Sequence, residues 1–409
     1  MLHVRLNPRV IAAAPAAPIL DEMRLAGASE PGILRMMTKA EGLALAMERV
    51  ERRQANLLKQ EMLAAGGDCA VAHGTCAEQI DETSVVLVGT RRQFDDLIAR
   101  LADEPFDLPA VGEALRAALD AYARRRFVLR LSDRQLELGP RVAIMGVVNV
   151  TPDSFSDGGE CLETSAAVER GLQLVEEGAD ILDIGGESTR PGSDPVPEDV
   201  ELSRVIPVIE GLAEATQVPL SIDTRRARVA REAAGAGARI INDVTGLLGD
   251  PAMPRTAAET GAAVVVMHIL GQPKTMQSDP QYVNLMADIC RTLRRGLAAA
   301  VEAGVADDRL IVDPGIGFGK TLDHNLRTFA RLGELRTLGC PILVGPSRKR
   351  FIGQLTGVET PADRTCGTAA ACALAIAAGA LLVRVHDVRI IRQAVAVAAA
   401  VAQSAENPA

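Results

Sequence analysis

The residues able to do chemistry in this 409-residue chain gather at the ends of eight short apolar runs in its last two thirds. Asn149 ends VAIMGVVN (142–149), Asp183 lies in ILDIGG (181–186), and Asp223 ends PLSID (219–223). Asn242 and Asp243 lie in RIINDV (239–244), His268 ends AVVVMH (263–268), and Asp313 lies in LIVDPG (310–315). Ser347-Arg348-Lys349 follow PILVG (341–345), and Arg384 and His386 lie in LLVRVH (381–386). Burying one polar side chain without a partner costs about 1–3 kcal/mol, so apolar runs that each carry one point to a shared purpose.

The side-chain types define two kinds of binding chemistry. Asp183, Asp223, Asn242 and Asp313 offer acceptors, while Asn242 and Lys349 offer donors. That set suits a flat heterocycle bearing several ring N–H and amino groups, such as a pterin or a purine, and a planar guanidinium such as that of Arg384 stacks on such a ring. A second set suits anions: Thr189 and Arg190 in GGESTRPGS, with Arg384 and His386, present forks matched to phosphate oxygens. Asn149 and the polar, Gly-rich loop TPDSFSDGG (151–159) could hold a hard cation such as Mg2+, which takes oxygen ligands and keeps several waters.

These groups meet only if the chain brings the run ends together. The eight runs are short and rich in β-branched residues, and Ala/Leu/Glu-rich helical stretches such as 164–178 and 285–304 separate them. Near-continuous apolar strands alternating with helices indicate parallel strands buried on both faces. Eight such units over residues 141–402 match a closed (β/α)8 barrel of about 250 residues, whose strand C-termini share one mouth. A doubly wound sheet would have fewer strands and a Gly-rich turn after the first. FVLRL (127–131) and QLEL (135–138) predict a hairpin at the barrel's entry.

The first 122 residues predict a smaller, mainly helical α/β domain, followed by the barrel domain over 125–402 and a C-terminal tail over 403–409. Residues 36–65 are rich in strong helix formers and end at Gly66-Gly67. SVVLVG (84–89) reads as one strand, with helices around 91–102 and 111–124. Cys69, His73 and Cys76 lie near one another without metal-ligand spacing.

Composition narrows the function classes. Hydrophobic residues are 48% and charged residues 24%, as in ordinary globular chains. Net charge is −9 and aromatics are 2%, which disfavours nucleic-acid binding. Seven cysteines without a CxxC, with five His, predict free thiols in a reduced, cytoplasmic setting. Arg5 and Arg9 before IAAAPAAPIL (11–20) loosely resemble a signal peptide, but Pro15, Pro18 and the scarcity of Leu argue against export. CGTAAACALAIAAGALLV (366–383) reaches the length of a membrane span, yet Gly379 and the following Arg384 favour a buried helix and then a buried strand. GFGKT (317–321) ends like a P-loop, but the full spacing needs Gly where Pro314 stands.

The motifs together resemble the dihydropteroate synthase family. MGVVNVTPDSFSDGG (145–159) and DILDIGGESTRPGS (180–193) resemble its two signature loops. SIDT (221–224), IINDV (240–244), VVVMH (264–268) with GQPKTMQ (271–277), DPGIGFGKT (313–321), GPSRKRFIG (345–353) and RVHDV (384–388) follow in the same order. The resemblance covers about residues 125–402. It implies a TIM barrel, usually dimeric, that condenses 6-hydroxymethyl-7,8-dihydropterin diphosphate with p-aminobenzoate, giving 7,8-dihydropteroate and diphosphate with Mg2+, and that sulfonamides target. It implies that Asp223, Asn242, Asp313 and Lys349 bind the pterin, that Met267 lines its slot and that Arg384 stacks over it. Asn149, Thr189, Arg190, Arg384 and His386 match the diphosphate-binding set, with Asn149 at the metal. Asp183 sits by the reacting centre, and Phe155, Pro191, Ser347 and Arg350 match positions around the aminobenzoate. A pterin-binding methyltransferase barrel and a non-catalytic pterin-binding paralogue are the alternatives. The first is not expected to carry SRK and RVHDV, and the second would have lost a site residue.

Overall fold

The computed structural model describes residues 9–13, 31, 42–75, 79–139, 141–150, 159–187, 196–272 and 275–406. Packing divides the chain into two compact units: Met1–Arg124 with Gly333–Gly339 and Ala400–Ala409, and Arg125–Leu332 with Cys340–Ala399.

Among the described residues of Met1–Arg124, the first unit is an antiparallel sheet with three helices. Strands β1 (Arg9–Ala13), β2 (Gly42–Glu51), β3 (Asp68–Ala70) and β4 (Glu82–Thr90) pair in the order β1-β2-β4-β3. Helices α1 (Arg52–Ala64), α2 (Arg91–Leu101) and α3 (Leu108–Ala123) complete it. Thr90 caps the start of α2 through a reciprocal bond pair with Gln93, which satisfies backbone N–H groups with no helical partner. The core joins Leu45, Met47, Leu58, Leu87, Phe94, Leu97 and Leu115.

The single helix expected over 36–65 is corrected here for its described part: 42–51 is strand and 52–64 is helix, while 36–41 lie outside the described residues. The decisive signal is the alternation Leu43-Leu45-Met47, which places three large side chains on one face of an extended chain. Pairing with the β-branched run of β4 then overrides helix propensity, which is a weak prior. β1 comes from the segment that loosely resembled a signal peptide, and it pairs antiparallel with β2.

The second unit is the barrel. Strands β7 (Ala143–Asn149), β8 (Ile181–Gly185), β9 (Leu220–Asp223), β10 (Ile240–Asp243), β11 (Ala263–Met267), β12 (Leu310–Asp313), β13 (Leu343–Val344) and β14 (Leu382–Val385) form one parallel sheet. β14 pairs with β7, and a parallel bridge from Val312 to Ile342 joins β12 to the start of β13, closing the ring. The hairpin β5 (Phe127–Arg130) and β6 (Gln135–Leu138) sends Leu129, Leu131 and Leu138 into one cluster with Ala143, Met145, Ile181, Ile240, Ala263, Ile311, Leu343 and Leu382. Those barrel residues sit in the N-terminal parts of their strands, so the hairpin seals the barrel floor.

The membrane-length apolar stretch resolves into the helix Thr365–Ala377 and β14, and no helix among the described residues is long and apolar enough to cross a membrane. The last helix spans Val388–Glu406, so residues 403–406 continue it where a tail was expected.

Phe94 is fully buried in the core of the first unit. Phe94→Ala is expected to cost that unit about 3–5 kcal/mol, read as a lower midpoint in urea unfolding followed by circular dichroism.

Candidate active site

The two-residue period of a strand decides which side chains enter the barrel. The floor residues Met145, Ile181, Ile240, Val265, Ile311 and Leu382 face inward. Stepping along each strand in twos from them brings Asn149, Asp183, Asn242, Met267, Asp313 and Arg384 onto the same inner face, toward the C-terminal mouth. Asp223 of β9 joins them, since it is hydrogen-bonded to Arg384. Asp183 is fully buried, and Asp223, Asn242, Met267 and Asp313 are nearly so.

Four of these residues form one bonded cluster. Arg384 donates from Nε to Asp183 Oδ2 at 2.5 Å and from Nη2 to Asp223 Oδ2 at 2.7 Å. Asn242 Nδ2 donates to the same Asp183 oxygen at 3.0 Å. The second oxygens, Asp183 Oδ1 and Asp223 Oδ1, are buried and accept nothing from the described residues. Buried polar atoms are nearly always paired, so these two oxygens are open to a donor from outside the described side chains.

Charge in this cluster is set by burial. Burial pushes the Asp223 carboxyl up to about 7 against the pull of Arg384, with Asp183 adding to the rise. Burial opposes the Arg384 charge, but Asp183 and Asp223 more than offset it and raise its pKa. Burial also raises Asp313, opposed by the Lys349 ammonium and by a 2.6 Å bond from the Gly315 amide. Lys349 is pushed down to about 8 by burial, against the attraction of Asp313. Its Nζ donates to the Ile316 carbonyl and stands 4.6 Å from the centre of the Phe318 ring.

On the next strands, Ser347 Oγ lies 2.9 Å from His386 Nδ1 and accepts the His386 amide at 3.2 Å. Between Ser347 and Lys349, Arg348 adopts a left-handed backbone (φ 60°) and forks onto Asp387 at 2.6 and 3.0 Å. That turn sends the two neighbouring side chains to different tasks. Arg350 is exposed at the start of the helix Arg350–Thr356, apart from the bonded cluster. Phe155, Thr189, Arg190 and Pro191 lie outside the described residues.

Two residues counted among the converging strand ends are corrected. Asp243 is one step out of register with Asn242, and its carboxylate accepts the Thr245 and Leu247 amides at 2.7 and 3.0 Å, anchoring a turn. His268 follows inward-facing Met267 and pairs with Lys320 instead. Lys320 is buried, as expected if GFGKT is not a phosphate-binding P-loop. The geometry adds Phe318 and Arg348. Both lie within quoted motifs, and a ring between alternating glycines in a chain with only seven Phe was the available signal for the first.

The comparisons agree with this geometry. Residues 145–386 match the family model described as "Pterin binding enzyme". The chain is 45% identical over 264 residues to dihydropteroate synthase of Escherichia coli (strain K12), covering 64% of this chain and 93% of that protein. The chain belongs to the dihydropteroate synthase family. A solved family member, Xanthomonas albilineans dihydropteroate synthase with 4-aminobenzoic acid, is 48% identical with a TM-score of 0.64 over 68% of this chain and 98% of that one. The same enzyme in complex with 7,8-dihydropteroate is 47% identical with a TM-score of 0.61, over 67% and 98%. A probable bifunctional folylpolyglutamate synthase/dihydropteroate synthase of Haloferax volcanii is 45% identical over 350 residues, covering 83% of this chain and 41% of that protein. The chain thus spans about two fifths of that longer relative. The match also covers more of this chain than residues 125–402 comprise, so it reaches outside the family's barrel.

Removing the central cation tests the cluster. Arg384→Met leaves Asp183 and Asp223 buried without their counter-charge, and is expected to destabilise the barrel by about 3–5 kcal/mol. Carboxyls raised by burial bind more protons folded than unfolded, so the deficit should grow as pH rises from about 5 to 8. Urea unfolding of both forms across that range checks the magnitude and the sign.

Proposed function

We propose that this chain is a dihydropteroate synthase, a transferase of folate biosynthesis. It joins 6-hydroxymethyl-7,8-dihydropterin diphosphate to p-aminobenzoate, giving 7,8-dihydropteroate and diphosphate. The observation that carries the reading is the pair of buried, unpartnered carboxylate oxygens on Asp183 and Asp223 beside Asn242. They are free acceptors, Asp223 for the N–H edge of a pterin and Asp183 beside the reacting centre. The ligands in the related Xanthomonas structures, 4-aminobenzoic acid and 7,8-dihydropteroate, are this reaction's second substrate and product.

In this reading Asp223, Asn242, Asp313 and Lys349 hold the pterin, Met267 lines its slot and Arg384 stacks over it. Thr189, Arg190, Arg384 and His386 receive the diphosphate. Phe155, Pro191, Ser347 and Arg350 surround the aminobenzoate, to which Phe318 adds a ring beneath Lys349.

Mg2+ fits the donor set. Among the described residues no group of three His, Cys, Asp or Glu could cage a metal, whereas one amide oxygen, from Asn149, suits a cation held largely by substrate phosphates and water. Bound there, Mg2+ would neutralise charge on the diphosphate. The exocyclic C–O bond breaks, and diphosphate leaves with the electron pair. The cationic CH2 is stabilised by the pterin ring and by the negative charge of Asp223. The neutral aniline nitrogen forms the new C–N bond and then loses a proton.

The chain acts as a homodimer in the cytoplasm in this reading. Leu374, Ile390 and Val397, exposed on the helices Thr365–Ala377 and Val388–Glu406, support a second copy as the partner.

The test is dihydropteroate formation from the two substrates. Asp223→Asn is expected to lower turnover about 10²–10³-fold while changing affinity for the dihydropterin diphosphate less, read by single-turnover rates beside binding constants. Wild-type turnover should fall as pH drops below about 7, because the raised Asp223 carboxyl is then neutral, and Asp223→Asn should flatten that limb. Chelating Mg2+ should abolish turnover and readdition restore it.

A further inference from the structure

Lys320 is nearly fully buried, yet the reaction proposed above gives it nothing to do. Its Nζ lies 2.8 Å from His268 Nδ1 and donates to the carbonyls of Gly315 at 3.1 Å and Phe318 at 3.2 Å. His268 is just as buried, and burial holds its imidazole well below the usual value, with the Lys320 charge acting in the same direction. The Lys320 ammonium has only donors to offer, so Nδ1 of the neutral ring accepts from it. Burial pushes Lys320 down to about 7, against Asp313 and in concert with Lys349.

The surrounding loop explains why a lysine is kept there. Five consecutive carbonyls each receive a side-chain donor: Gly315 and Phe318 from Lys320, Ile316 from Lys349, Gly317 from Gln277 at 2.6 Å, and Gly319 from Tyr282 at 2.7 Å. The backbone makes this arrangement with glycines at φ 65° and 82° (Gly315 and Gly317), where a Cβ would lie 1.9 Å from the His268 carbonyl oxygen and 3.1 Å from Lys349 Cδ respectively. The Gly315 carbonyl also accepts the Phe318 amide at 3.0 Å, but the loop forms no helix or sheet ladder, so side chains supply the remaining donors. The groups it presents are those of the pterin site. Gly315 donates its amide to Asp313, the Ile316 carbonyl accepts Lys349, and the Phe318 ring lies under the Lys349 ammonium.

We propose that Lys320 and His268 are positioning residues for this reaction: their buried ammonium–imidazole pair holds the Gly315 and Phe318 carbonyls, and thereby fixes Asp313, Phe318 and Lys349 relative to one another. The inference rests on the pterin-site reading. The pair touches no substrate itself and acts through the loop.

The test uses the full chain with three substitutions. Lys320→Met removes the donors at similar length. His268→Leu removes the acceptor, and His268→Asn restores it, since Asn Oδ1 can occupy the place of Nδ1. Hydrogen bonds to a charged group are worth enough to change a rate about ten- to hundredfold. Lys320→Met and His268→Leu are expected to lower kcat/KM for dihydropteroate formation by that much, and His268→Asn to return it to within about threefold of wild type. Amide exchange, read by mass spectrometry, should quicken over residues 314–320 in the two weakened variants and not in β7–β11. A Lys320→Met protein with wild-type kcat/KM, or an unchanged exchange pattern over 314–320, overturns the proposal. So does a His268→Asn protein as impaired as His268→Leu. Should Lys320→Met fail to fold, the two His268 variants decide alone. Should wild type form no dihydropteroate, the functional reading falls, and the exchange pattern still judges whether the pair holds the loop.

Discussion

The interaction on which the rest of the site depends is the span of Arg384 across Asp183 and Asp223. Two buried carboxylates and a largely buried guanidinium meet inside a ring of strands whose floor is apolar. Neither carboxylate could stay ionised there alone, and the guanidinium could not be buried without them. One cation serving two anions leaves a net negative pair with an oxygen free on each, and Asn242 orients one of the two from the side. The cluster is therefore held rigidly yet remains short of donors. A binding site for an N–H-rich heterocycle needs that combination, and a simple structural ion pair would not supply it.

The barrel makes the cluster possible by register. Asp183, Asp223, Asn242, Asp313 and Arg384 come from five different strands spread over some two hundred positions of the chain. They meet because each occupies an inward position near the C-terminal end of its strand. The hairpin β5–β6 fills the opposite end with leucines, so the interior grades from dry floor to charged mouth. The same period separates structural from functional polar residues. Asn242 and Asp243 are adjacent in sequence, yet one enters the barrel and the other caps a turn outside it.

This is also where sequence reading succeeded and where it ran out. The eight strands were legible because buried parallel strands are continuous apolar runs, and the polar residue at each end stood out against them. Asp243 and His268 differ from expectation because standing at the end of an apolar run does not fix which face of the strand a side chain takes; strand parity does. The strand Gly42–Glu51 was missed because alanines, leucines and a methionine suit both helix and sheet, and only their alternation, with the partner β4, settles the choice. The sequence shows Lys320 only as part of an incomplete P-loop spacing. Its actual role depends on carbonyls brought within reach by three-dimensional folding, which no spacing rule displays. The fork of Arg348 onto Asp387 is of the same kind, joining residues 39 positions apart.

The barrel's closing seam has its own consequence. β13 is only two residues long, and a single bridge, Val312 to Ile342, joins it to β12. Lateral stiffness in a sheet ordinarily comes from its backbone ladder, and here the ladder is thinnest just below Asp313 and Lys349. Lys349, which follows β13, braces the seam by donating to the Ile316 carbonyl in the loop after β12, while Gln277 and Tyr282 tie that loop to the connection after β11. Resistance to shear at the seam is thus written in side chains, where substitution can tune it residue by residue while the fold's hydrogen-bond topology stays unchanged.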